Sequence, residues 1–250
     1  MLTRDELSRY SRNIFLREVG REGQERLKSS RVAVVGAGGL ASPVLLYLAA
    51  AGVGRISVVD SDVLELTNLQ RQVIFTTDDV GRPKAEAAAE HLEGLNPGVE
   101  VQAVRSRLTP ENATGLLRGH DLIVETSDNF ETKFLVNDTA IHLATPLILA
   151  GILRFDGQVM VIDVARGGGC YRCLFEDLPP ADLVPDCSSA GVLGAVAGVV
   201  GALQAVEALK VLTGAGQPLF GQMLVMEFLT GQFRRIALPS NPACPTCARG

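Results

Sequence analysis

RVAVVGAGGLASPVLLYLAAAGVGRISVVDSD, residues 31–62, decides the fold. An apolar run over 32–35 reaches the cluster Gly36-Ala37-Gly38-Gly39. An alanine- and leucine-rich segment follows, broken at Gly52 and Gly54, and a second apolar run over 56–59 ends on Asp60. That order predicts a strand, a phosphate loop, a helix, a second strand and an acid. Glycine supplies the tight turn and lets backbone approach a ligand, and the first turn of a helix offers unpaired N–H groups to a phosphate. Asp60 falls 24 residues after Gly36, where a carboxylate meets a ribose hydroxyl. The pattern points to a nucleotide without saying which one.

Working outward, the pattern repeats. Apolar runs at 99–104, 121–124 and 146–150 alternate with helical stretches, one opening on Thr109 as cap and Pro110, the other over 131–143. Alternation of this kind predicts an α/β fold with a Rossmann-like, doubly wound, mostly parallel sheet. Gly36, Asp60 and Asp128 all fall at carboxyl ends of predicted strands, where such sheets bind ligands. Beyond 151 the pattern changes. Residues 152–162 read as a hairpin centred on Asp156-Gly157, and 223–228 with 232–238 as another pair of strands, so the sheet is expected to continue antiparallel. Residues 163–190 read as a long functional loop.

Leu7, Tyr10, Ile14 and Phe15 recur at helical spacing, with Arg9 and Arg12 on another face, which predicts an N-terminal helical arm over 1–30. The chain then divides into a nucleotide-binding part, 31–151, and a metal-binding part, 152–250, within one domain of 250 residues. If 66–72 is a helical turn, Asn68, Arg71 and Gln72 share a face. Pro83 reads as a first helical residue, which puts Lys84 in the first turn, where a cation opposes the helix dipole. Such a placement suits a ligand that wants the charge. Asp62 reads equally as a second acid or a turn residue. His91, His120 and His142 are scattered, and none is recommended as a base.

A net charge of −5 argues against nucleic-acid binding, and 47% hydrophobic residues supply a full core. The polar, charged N-terminus predicts a cytoplasmic protein. Residues 190–212 are long enough to cross a bilayer, but Gln204, Glu207 and Lys210 interrupt them, and a buried, closely packed helix is expected.

Four of the five cysteines form two pairs, Cys170-x-x-Cys173 and Cys244-x-x-Cys247. Four thiolates suit a tetrahedral Zn²⁺ with no open position, hence a structural site that staples the tail to the loop. Cys187 is left over, near the start of the apolar helix, where a thiol can be activated.

RYSRN near the start, VGAGGL, the VVDSD, LTNLQRQ and GRPKA series, SDN, CYRC, CSSAGV and CPTC follow one another in an order that resembles the MoeB/ThiF family over essentially the whole chain, nearer the MoeB type. These are bacterial relatives of ubiquitin-activating enzymes. The resemblance implies an adenylyltransferase that uses Mg·ATP to activate the C-terminal Gly-Gly of a ubiquitin-like sulfur-carrier protein of MoaD or ThiS type, for molybdopterin, thiamine or thiolated-tRNA synthesis. It implies that Gly36, Gly38 and Gly39 face the phosphates and that Asp60 binds the ribose. It gives Asn68 and Gln72 to support of the nucleotide, Arg71 and Lys84 to charge neutralisation, and Asp128 to Mg²⁺. Arg12 is expected to act in trans within a homodimer. Cys187 matches a cysteine that can form a covalent link to the carrier in ThiF-like members and is dispensable in MoeB-like ones, and the resemblance gives residues 152–250 to carrier binding as well as zinc. Two departures stand out. Ala41 replaces the last loop glycine of many relatives, and no sulfurtransferase domain follows Gly250, so a separate sulfur donor is expected. The glycine loop and Asp60 alone also fit a NAD-dependent dehydrogenase, and the cysteine pairs alone a non-catalytic zinc-stapled binding module.

Overall fold

Arg31–Val35 forms β1, the centre of the sheet. Its side chains alternate between two cores: Val32 and Val34 pack on one face, Ala33 and Val35 on the other. A strand buried on both faces needs a continuous apolar run, which is what residues 32–35 provide. The computed structural model describes residues 1–175, 177–178 and 191–248.

Eight strands form one sheet: β1, β2 (Arg55–Val59), β3 (Glu100–Val104), β4 (Leu122–Glu125), β5 (Leu147–Leu153), β6 (Asp156–Ile162), β7 (Gln222–Glu227) and β8 (Gln232–Ala237). Their order is β3-β2-β1-β4-β5-β6-β7-β8. β1 to β5 are parallel and β6 to β8 antiparallel, as expected. The order reverses between β1 and β4, which opens a crevice beyond their carboxyl ends.

Among the described residues the helices are α1 (Arg4–Arg9), α2 (Ser11–Ile14), α3 (Gly20–Ser29), α4 (Ala41–Ala51), α5 (Lys84–Leu95), α6 (Pro110–Leu117), α7 (Phe130–His142), α8 (Tyr171–Leu174) and α9 (Gly194–Thr213). α9 packs on α3, α4, β5 and β6. It is long and apolar enough to cross a membrane, yet Gln204 and Glu207 are buried and bonded. Gln204 Nε2 donates to the Glu125 carbonyl at 2.8 Å, and Glu207 accepts the Leu219 N–H at 2.9 Å. It is a core helix whose small residues permit close approach: a Cβ on Gly201 would lie 2.3 Å from the Leu40 carbonyl oxygen.

Three expectations needed correction. The arm is three short helices, and its apolar stripe is split. Tyr10 is buried against Gly52, which ends α4 at φ +82°, and accepts from Asn96 Nδ2 at 2.8 Å, whereas Phe15 is 75% exposed. The β5–β6 hairpin turns at Arg154-Phe155, with Arg154 at φ +54°, because Leu153 pairs with Asp156 and puts Asp156-Gly157 inside β6. Pro83 is the cap of α5, not its first residue. It is extended (ψ 129°) by its bridge to Val63, so Lys84 opens the helix.

Candidate active site

A cavity of about 1270 Å³ lies at the carboxyl ends of β1, β2 and β4. Its wall includes Gly36, Gly38, Gly39, Asp60, Asn68, Arg71, Gln72, Lys84 and Asp128, all predicted from sequence to surround a nucleotide. Gly36 sits at φ +98°, and a Cβ there would meet Thr126 Oγ1 at 2.9 Å, so β1 and β4 can approach only with glycine between them. A Cβ on Gly39 would press on Arg71 Cγ at 3.2 Å, while Gly38 has ordinary room. Ala41 is fully buried as the first residue of α4, so the departure from glycine leaves the helix packed.

Asp60 is held by the loop it serves. Oδ2 accepts the Ala37 N–H and Oδ1 the Asp62 N–H, both at 2.7 Å. Burial raises its pKa, against the pull of those N–H groups and Lys84. Lys84 is buried, with Nζ 2.9 Å from Asp62 Oδ2, so Asp62 acts as its counter-ion. The Leu66–Asn68 turn carries on into Arg71 and Gln72, whose N–H groups both return to the Asn68 carbonyl. Among the described residues, Gln72 Oε1 is buried without a partner at the cavity wall. Asp128 stands exposed on the loop after β4, free of the helix-capping role, which Asn129 takes by accepting the Thr132 N–H at 2.8 Å.

A buried ion pair that the sequence reading missed lies under that loop. Lys133 Nζ donates to Glu125 Oε2 at 2.5 Å and to the carbonyls of Ser127 and Ala150 at 2.7 Å. Glu125, fully buried, also accepts the Ser127 N–H at 2.7 Å and the Ser127 hydroxyl. Burial raises the Glu125 pKa, and Lys133 counters it. The one available signal was an acid ending the otherwise apolar strand Leu122–Glu125.

The four cysteine sulfurs lie within 4.8 Å of one another. Cys170 and Cys244 are 3.7 Å apart, Cys173 and Cys247 3.4 Å. A tetrahedron of 2.3 Å Zn–S bonds has edges of about 3.8 Å, so the donor set fits zinc. Burial resists ionisation of Cys244, but N–H groups of Cys247 and Thr246 outweigh it and bring its pKa to about 7. The knuckle is bolted to α7: Tyr171 N–H donates to Asn137 Oδ1 at 2.9 Å, and Arg172 and Thr246 both reach Asp138.

Arg12 is exposed on α2, and among the described residues the cavity wall does not include it. The histidines are also absent from that wall. Cys187 lies outside the described residues, as do residue 176 and the rest of 179–190 in the long loop read at 163–190.

The ThiF family profile matches residues 10–246. The chain belongs to the ThiF family. A sulfur carrier protein adenylyltransferase of Thermus thermophilus is 53% identical over 249 residues, 98% of this chain and 92% of its own length. A SAMP-activating enzyme E1 of Haloferax volcanii is 48% identical over 245 residues, covering 98% and 90%. Among solved structures, Escherichia coli MccB with ATP superposes with a TM-score of 0.82 at 26% identity, over 96% of this chain and 74% of that one. These ThiF relatives place the chain among nucleotidyltransferases and displace the dehydrogenase alternative.

Proposed function

We propose that this ThiF-family chain adenylates the C-terminal Gly-Gly carboxylate of a ubiquitin-like sulfur-carrier protein, consuming ATP and releasing pyrophosphate, in the synthesis of molybdopterin, thiamine or thiolated tRNA. The single observation that carries the reading is the convergence of Asp60, Arg71, Lys84 and Asp128 on one cavity around the glycine loop. At about 1270 Å³ it exceeds the about 300–1,000 Å³ usual for a small ligand, which leaves room for a nucleotide and an extended peptide tail together.

The reaction joins two anions: a carboxylate attacks the α-phosphorus and pyrophosphate departs. The carboxylate is already ionised at neutral pH, so no base is required, and the absence of histidine from the described cavity wall agrees. What the protein must supply is positioning and positive charge. Arg71 and Lys84 supply charge, the α4 N-terminus supplies N–H donors, and Asp60 orients the ribose. Asp128 offers an exposed carboxylate to Mg²⁺, which when bound neutralises phosphate charge. Arg12 completes the site from a second copy, as an arginine finger does. Zinc on the four cysteines would be structural, and sulfur would come from a separate donor.

ATP–pyrophosphate exchange tests the reading. Exchange should appear only with a carrier ending in Gly-Gly. No exchange with MoaD-type, ThiS-type or tRNA-thiolation carriers from the same cell would overturn it.

A further inference from the structure

Tyr171 belongs by sequence to the cysteine knuckle, and by position to the cavity. It is fully buried, edge-on to Phe134 with ring centroids 5.1 Å apart and tilted against Phe175 at the same distance. Its N–H is bonded to Asn137 Oδ1, and the two ring contacts pack the side chain on both sides. Yet its hydroxyl has no hydrogen-bond partner among the described residues, and Tyr171 forms part of the cavity wall beside Ser127, Asp128 and Lys133.

An unpaired buried hydroxyl is a cost that phenylalanine would avoid while keeping both ring contacts. The donors of Lys133 and Ser127 beside it are already committed. The three ammonium protons of Lys133 go to Glu125, Ser127 and Ala150, and the Ser127 hydroxyl goes to Glu125. Among the described residues the phenol is therefore a buried, uncommitted donor at this end of a cavity suited to polyanions, and a hydrogen bond to an anionic oxygen is about twice as strong as a neutral one.

The structure assigns Tyr171 as a binding residue whose hydroxyl donates to an anionic oxygen held in the cavity, either a phosphate oxygen of the nucleotide or a carboxylate oxygen of the carrier's terminal glycine. The assignment rests on the adenylation reading for the identity of these two sources. It gives the knuckle a second duty: fixing a donor at the reaction chamber as well as stapling the tail.

The test uses the full chain with its zinc. Tyr171→Phe should keep its zinc content and melt at the same or a higher temperature, while kcat/KM for exchange falls at least about tenfold. A residue that served packing alone would not lose activity while holding stability. A weaker calorimetric ATP affinity without carrier identifies the phosphate as acceptor; a change confined to carrier KM or kcat identifies the tail. The second measurement keeps the wild-type fold. The chain has three tyrosines, so 3-fluorotyrosine labelling gives three fluorine resonances, assigned with Tyr47→Phe and Tyr171→Phe. The Tyr171 resonance should shift on adding Mg·ATP or the carrier. Unchanged kinetics in Tyr171→Phe, or a resonance that moves with neither, overturns the assignment. Should the wild type show no exchange with any carrier, the adenylation reading fails, and the Mg·ATP titration still decides whether Tyr171 receives a ligand.

Discussion

Lys133 and Glu125 form a buried ion pair directly beneath the loop that presents Asp128, and Lys133 also bonds the backbone of that loop at Ser127. The position of Asp128, a surface carboxylate, is thus set from the interior. Removing one partner leaves a charge stranded in a dry site, which is far costlier than removing both. Lys133→Met should destabilise the protein by about 3–5 kcal/mol in urea unfolding. The Glu125→Gln/Lys133→Met double variant should recover much of that loss. A double variant no more stable than the single would show that the pair's charges do not interact as described.

Asp128 is exposed and has no hydrogen bond or ion pair among the described residues, so Asp128→Ala should abolish exchange while leaving the melting temperature and zinc content unchanged. Arg12→Ala should be inactive too. If Arg12 serves the partner's cavity, co-expressing the two inactive variants restores about a quarter of wild-type activity, because about half the dimers are mixed and each mixed dimer has one intact site. No recovery would place both groups in one chain's site.

The cysteine knuckle brings four sulfurs together that would hold the tail through zinc, and Arg172 and Thr246 meet on Asp138. Metal analysis should find about one zinc per chain, and Cys244→Ser should lose it and lower the melting temperature, since metal binding contributes to folding. A Cys244→Ser protein with full zinc would mean the metal sits elsewhere.

Asp79 is a pH-sensitive brace for the segment that delivers Lys84. It accepts from Thr76 N–H at 2.9 Å and Arg82 Nη1 at 2.8 Å, and pairs with His91 Nε2 at 2.7 Å. Burial alone would raise its pKa, but the Thr76 and His91 bonds outweigh burial and lower it from 3.8 to about 2. A depressed folded-state value means stability present above the unfolded pKa and lost as pH falls through the folded one. Urea midpoints should therefore drop between about pH 4 and about pH 2, and less steeply in Asp79→Asn. Zinc release affects both proteins, so the difference between them isolates Asp79. Parallel curves would remove the brace.

Residues that act near in sequence, or through a strong local pattern, were legible. The glycine loop, Asp60 and both cysteine pairs announced themselves by spacing, and Asp128 by its place after an apolar strand. Residues that act through tertiary contact were not. Glu125, Lys133 and Tyr171 read as a strand end, a helix lysine and a spacer between cysteines. Only folding brings Tyr171 and Lys133 to one cavity wall. The hairpin was misplaced for a related reason: Asp-Gly is a strong local turn signal, but pairing of β5 with β6 carries both strands past it and forces the turn onto Arg154. The arm's helical stripe failed because the buried Tyr10–Asn96 bond interrupts it.

β8 closes the sheet at one edge, and all six of its residues are exposed. Such a strand invites another to pair with it, and its Phe233 and Ile236 add apolar surface. Arg234 and Arg235 lie at its centre. If two copies approached antiparallel through these edges, arginine would face arginine at the middle of the new ladder, an arrangement that like charges disfavour. The strand is thereby protected from its own kind, and solubility at high concentration should depend on those two side chains more than on any part of the reaction chamber.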